Sequence, residues 1–132
     1  MPANARTLTL SVLLKTFVIC KLPADAPVPA WATRGKLFSV TRTSDELSVV
    51  AETDMVPQKL RGDVTWRAMK AHGPFAFSEV GVLASLVAPL ADAGISVFAL
   101  STFDTDYLFT GETHLQEAVA ALRTAGHTIH ET

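Results

Sequence analysis

Apolar positions in the first half of the chain fall in short runs, and in the second half they settle into clear helical and strand periods. Thr7–Leu14 and Thr16–Leu22 are apolar runs with β-branched residues and partial alternation, which predicts two short strands. Pro23, Pro27 and Pro29 exclude a helix interior or a central strand between them. Their tail, Val28–Thr33 with Trp31, has the length of one helical turn. Leu37–Thr43 and Glu46–Ala51 predict two more strands, joined at hairpin length by Ser44-Asp45. Asp54 can N-cap a turn running to Leu60, with Pro57 tolerated in it. Arg61-Gly62-Asp63 is a polar break and marks the internal boundary.

Beyond that break the pattern sharpens. Thr65–Ala71 predicts a strand that His72-Gly73-Pro74 ends. Ser78 is a good N-cap for a helix over Glu79–Ala93, in which Val80, Leu83, Ala84, Val87, Leu90 and Ala91 share one face. Pro89 inside it removes a donor and crowds the carbonyl of Ser85, so a kink or a loosened last turn is expected. Gly94 closes the helix in the left-handed region. Ile95–Ser101 then predicts a central strand and Asp106–Thr110 its hairpin partner. Thr113-His114-Leu115-Gln116 has the spacing of a capping box. The helix that follows buries Leu115, Ala118, Val119 and Leu122 and stops at Gly126, and His127–Glu131 predicts a last strand.

The resulting order, βαββαβ, predicts an α+β fold of ferredoxin-like type: an antiparallel sheet with two helices on one face. Both helices leave through the same sequence, Ala93-Gly94 and Ala125-Gly126, as two pseudo-symmetric halves would. Residues 63–132 therefore read as one well-formed module. Residues 1–62 read as an incomplete copy of it, or as an extension of its sheet.

Composition narrows the function classes. In 132 residues, 48% are hydrophobic and 18% charged, which is a folded core rather than a disordered chain. A net charge of −2 with scattered Lys and Arg gives no basic stripe, so nucleic acid is not expected as a partner. Cys20 is the single cysteine and lies in an apolar run, which suggests a buried thiol in a reducing compartment. Leu8–Leu14 is too short for a signal-peptide core, and Pro89, Asp92 and Gly94 interrupt the longest apolar stretch, so no membrane span is expected. The chain reads as cytoplasmic.

The candidate chemistry lies in Ser101-Thr102-Phe103-Asp104-Thr105-Asp106, where two carboxylates, three hydroxyls and an aromatic ring are set between two apolar strands. A hairpin does not need so many polar groups, whereas a small charged ligand would use them. The predicted start of the preceding helix, Glu79, Val80, Gly81 and Val82, offers unpaired N–H groups to a carboxylate. Gly81 would let a ligand approach the backbone, or would simply let the helix pack closely. Asp104 could serve the turn instead of a site. His127 and His130 point to opposite faces of a strand and cannot share a metal ion. No catalytic or dinucleotide motif is present, so neither an enzyme nor a cofactor is expected.

Val82–Leu90, Gly94-Ile95-Ser96-Val97-Phe98 and Ser101-Thr102-Phe103-x-Thr105-Asp106 resemble the ACT domains of aspartokinase regulatory regions, nearest to the CASTOR-type branch named for an animal arginine sensor. The likeness covers about residues 65–126, with Pro29-Ala30-Trp31-Ala32 the best fragment before it. It implies a regulatory module that binds a free amino acid without catalysis and pairs with a second copy. It also implies that Asp106 meets the cationic end of a ligand and that Thr102 and Phe103 line the pocket. With Glu79 as a second carboxylate, a basic amino acid, arginine or lysine, is favoured. The rival reading is a protein–protein interaction module whose pocket is vestigial.

Overall fold

A computed structural model describes residues 6–75 and 81–131. Seven strands and two helices follow in the order β1 Thr9–Leu22, β2 Ser39–Arg42, β3 Leu47–Glu52, β4 Trp66–Ala71, α1 Val82–Asp92, β5 Val97–Ser101, β6 Asp106–Gly111, α2 Leu115–Thr124 and β7 Thr128–His130. The expected βαββαβ order is that of β4 to β7. The chain divides into two compact units: Lys15–Trp66 forms one, and the stretch up to Leu14 joins everything from Arg67 onward in the other.

The two strands expected at the start are one strand of 14 residues, β1. Lys15, the polar residue that suggested a break, is exposed and pairs with Asp54 at 3.0 Å, so a charge at this position does not end the strand. The second part of β1 belongs to the Lys15–Trp66 unit, where it pairs antiparallel with β3, and β3 pairs antiparallel with β2. The turn at Ser44-Asp45 forms as expected, with the Thr43 hydroxyl accepting the Asp45 and Glu46 N–H groups. Val18, Cys20, Ala32, Val49, Ala51 and Val56 are the core of this unit, and Ala30–Thr33 is the expected helical turn.

In the other unit the first part of β1 lies between β7, to which it is parallel, and β4. The strand order there is β7-β1-β4-β6-β5. His72 N–H donates to Thr9 O and Arg67 to Leu13 O, so β1 and β4 run in opposite directions. Leu10, Val12, Met69, Ala71, Leu108 and Ile129 face α1 and α2 in a single core. Burial of these stripes is what holds the helices on the sheet, each large aliphatic side chain contributing about 1.5–3 kcal/mol.

α2 buries Leu115, Ala118, Val119 and Leu122 as its period requires. Its capping box does not form: a short 3₁₀ turn over Glu112–His114 precedes the helix, and Gln116 reaches Glu131 instead, at 2.9 Å. α1 starts at Val82 with Gly81 as N-cap at φ 82°, later than expected from Ser78. Its buried stripe is Val82, Leu86 and Leu90, while Leu83, Ala84 and Ala91 of the expected face are exposed. The helix is apolar nearly all round, so its own pattern does not fix which side packs.

Candidate functional site

Right after β4, the chain turns at His72-Gly73-Pro74 toward α1, while β5 turns into β6 through Thr102–Thr105. These two connections meet. Phe75 N–H donates to Asp104 O at 2.7 Å, and a side chain on Gly73 would come within 2.8 Å of that same oxygen. Only glycine allows so close an approach of two backbones. The Thr105 hydroxyl donates to Ala71 O at 2.6 Å in a buried position, tying the loop to the end of β4.

The loop itself is held by threonines. Thr102 N–H donates to Thr105 O at 2.8 Å, and Thr105 N–H to the Thr102 hydroxyl at 3.3 Å. Asp104 contributes only its backbone to this arrangement, and its carboxylate makes no hydrogen bond among the described residues. The alternative role of Asp104 as the turn-forming acid is therefore taken by Thr102.

Between the two connections lies a hollow of about 320 Å³. Gly73 and Pro74 line one side, Thr102, Asp104 and Thr105 the other, and Lys70 and Tyr107 come from the strands beneath. Strand alternation decides this, since Met69, Ala71 and Leu108 turn to the helices and so Lys70 and Tyr107 turn away from them. The Lys70 ammonium sits 6.0 Å from the centre of the Tyr107 ring.

The expected site residues divide accordingly. Thr102, Asp104 and Thr105 come together at the hollow. Asp106 lies on the same strand face as Leu108, toward the helices, and its carboxylate accepts the hydroxyl of its cross-strand partner Ser101. Gly81 and Val82 stand at the start of α1, where Val82 is buried in the core. Phe103 is 76% exposed at the loop tip. Ser78, Glu79 and Val80 lie outside the described residues. Lys70, Gly73, Pro74 and Tyr107 were not expected. The alternation of polar Lys70 and His72 with apolar Met69 and Ala71 was a legible signal for the first of them.

The histidines do other work. His127 is buried and bridges two segments: Nδ1 accepts Leu8 N–H at 3.0 Å, so Nε2 carries the proton and donates to Ser85 O at 2.9 Å. His130 is on the open face, stacked against His72 at 5.9 Å, and His72 shares a 2.6 Å hydrogen bond with Ser11. Among the described residues no group of three or more His, Cys, Asp or Glu is placed to hold a metal, and no helix is long and apolar enough to cross a membrane.

Comparison with known proteins agrees with this anatomy. A model of the ACT domain matches residues 62–124, and a second model, described as an N-terminal domain, matches residues 15–59. A crystal structure of a protein from Agobacterium tumefaciens is 38% identical, covering 97% of this chain and 96% of its own at a TM-score of 0.88. The human cytosolic arginine sensor for mTORC1 subunit 1 is 30% identical over 93% of this chain. The chain spans 39% of that sensor's length and 55% of a second human relative. The regulatory subunit of aspartate kinase from Thermus flavus, at 13% identity, has a similar fold, with a TM-score of 0.58 over 91% of this chain and 99% of its own. With the βαββαβ module, its paired connections and these matches in agreement, residues 62–124 are an ACT domain, in a chain similar to the human arginine sensor and, in fold, to the aspartate kinase regulatory subunit.

Proposed function

We propose that the chain is a non-catalytic regulatory module that binds a free amino acid at the end of the sheet where the β4–α1 and β5–β6 connections meet. The observation that carries this is the hollow of about 320 Å³ flanked by Thr102, Asp104 and Thr105. It is polar, of the size of an amino acid, and built on backbone held by hydrogen bonds at 2.6–2.8 Å. The name of one relative, an arginine sensor, supports an amino acid as the ligand class. The same reading takes residues 63–132 as the ACT domain and residues 1–62 as a degenerate ACT-like half, and places the protein in the cytoplasm as a homodimer.

A basic amino acid, arginine or lysine, is the ligand we favour. Asp104 borders the hollow, Asp106 opens β6 beside the loop with its carboxylate on the Ser101 hydroxyl, and Glu79 adds a third carboxylate in sequence near the start of α1. Phe103 can add a cation–π contribution of about 0.5–2 kcal/mol if it folds over the ligand. Its exposure is also the observation that favours the second reading, an interaction module that buries Phe103 against a protein partner.

A thermal-shift screen of the free amino acids separates the two. A ligand at a hundred times its Kd adds about 2.7 kcal/mol to stability and raises Tm by several degrees. No shift with any amino acid would leave the interaction module as the better reading. The substitution Asp106→Asn keeps an oxygen to accept the Ser101 hydroxyl, so the fold should hold. A cationic ligand weakened about ten- to hundredfold by it would show that the ligand's side chain reaches past the loop to the helix-facing side of β6, where that carboxylate lies. Equal affinity by calorimetry before and after the change would remove Asp106 from the site.

A further inference from the structure

We propose that the hollow is shaped for the zwitterionic head of the amino acid, with the Lys70 ammonium receiving its α-carboxylate and the Asp104 carboxylate its α-ammonium. This rests on the amino-acid-binding reading above and assigns to Lys70 a role for which sequence motifs gave no sign. Lys70 and Asp104 line the same hollow, yet no ion pair joins them, and neither has another ion-pair partner among the described residues. Opposite charges that border one space and stay apart are matched by a ligand carrying both charges. A ligand of one charge would leave one of them unanswered.

Both groups are presented from fixed backbone. Lys70 stands on the open face of β4, between the buried Met69 and Ala71 that lock the strand to the helices. Asp104 is held through its carbonyl by Phe75 N–H, in a turn that Thr102 and Thr105 close without using the Asp104 carboxylate. That carboxylate is thus surplus to the fold, and Lys70 is exposed. Tyr107 and Thr102 border the same space and offer a ring face and a hydroxyl to whatever lies between the charges. The α-substituent of the ligand would then leave toward the open end of the loop, where Phe103 stands.

The test is calorimetry on the full chain with whichever of the twenty amino acids gives a thermal shift, together with its methyl ester and its N-acetyl derivative. Lys70→Met should weaken the free amino acid about ten- to hundredfold and leave the methyl ester, which has no carboxylate, unchanged. Lys70→Arg should restore most of the loss. Asp104→Asn should weaken the free amino acid similarly and leave the N-acetyl derivative unchanged. Both positions are exposed, so the circular dichroism and Tm of the unliganded variants should match the parent. If the amino acid binds but neither substitution discriminates between it and its blocked forms, the head-group assignment is wrong and the amino-acid reading stands. If no amino acid binds the parent protein, both fall.

Discussion

At Glu52 a buried carboxylate accepts two backbone N–H groups, from Lys36 at 2.8 Å and Leu37 at 3.3 Å. The loop that delivers those donors turns at Gly35, whose φ of 92° is open to glycine and costly for other residues. A methyl group on Gly35 would also stand 2.9 Å from the Glu52 carboxyl carbon. Gly35→Ala should therefore cost about 1–2 kcal/mol from backbone strain alone. Glu52→Ala, which leaves two donors unpaired, should cost about 1–3 kcal/mol. Urea denaturation measures both, and a midpoint unmoved by either change would mean that the loop contributes nothing to folding. Cys20 in the same unit is buried, its sulfur donating to Leu60 O at 3.4 Å, and burial pushes its thiol pKa up. A raised folded pKa means that its contribution to stability is complete below the unfolded value and is lost as pH rises through the folded one. The native thiol should accordingly resist alkylation at neutral pH and react only as the protein unfolds, which an alkylation rate followed across a denaturant series will show. A buried thiol could be read from Cys20's apolar neighbours; the role of Glu52 could not, because its partners lie about fifteen residues away.

Within the elements, Pro89 explains a contact that its own helix does not reveal. A residue at that position would ordinarily donate its N–H to Ser85 O, four residues back, and proline has none to give. His127, leaving α2, supplies the missing donor at 2.9 Å and with its other nitrogen receives Leu8 N–H. Proline in one helix and histidine after the other are thus coupled. His127→Ala should destabilise by about 1–3 kcal/mol, since it orphans a buried N–H and a partly buried carbonyl. In a Pro89→Ala background the loss should be smaller, because the introduced alanine would offer the Ser85 carbonyl its own N–H. A double-mutant cycle by urea denaturation tests this, and purely additive effects would disprove the coupling. The disturbance at Pro89 was legible in the sequence, and so were the periods of α2, β5 and β6. The buried side of α1 was not, since a helix apolar on most faces takes its orientation from what packs on it.

For the whole molecule, local signals reached only as far as local structure. The order βαββαβ could be read because each element announces itself within a dozen residues, whereas the passage of β1 through both units could not, because pairing between distant strands leaves no local trace. The candidate site shows the same limit. Thr102, Asp104 and Thr105 gather on the hollow as their shared loop suggested, but Lys70 and Tyr107 join it only because β4 and β6 are neighbours. Strand order also bears on association. β5 stands at one end of it, a five-residue strand of mostly apolar residues paired with β6 along one side. An edge of this kind must be shortened, charged, covered or paired, and β5 carries no charged residue in Val97–Ser101. Pairing with the same edge of a second copy, antiparallel about a twofold axis, satisfies both edges at once and closes the assembly. We therefore expect light scattering at micromolar concentration to give about twice the 14.1 kDa chain mass, falling toward a single chain on dilution. Replacing Leu100, which pairs with Tyr107 on the face of β5 away from the helices, by Lys should lower the dimer fraction without lowering the monomer's helical signal in circular dichroism. A mass of one chain throughout the concentration range would show that β5 is left unpaired by other copies and would withdraw the homodimer.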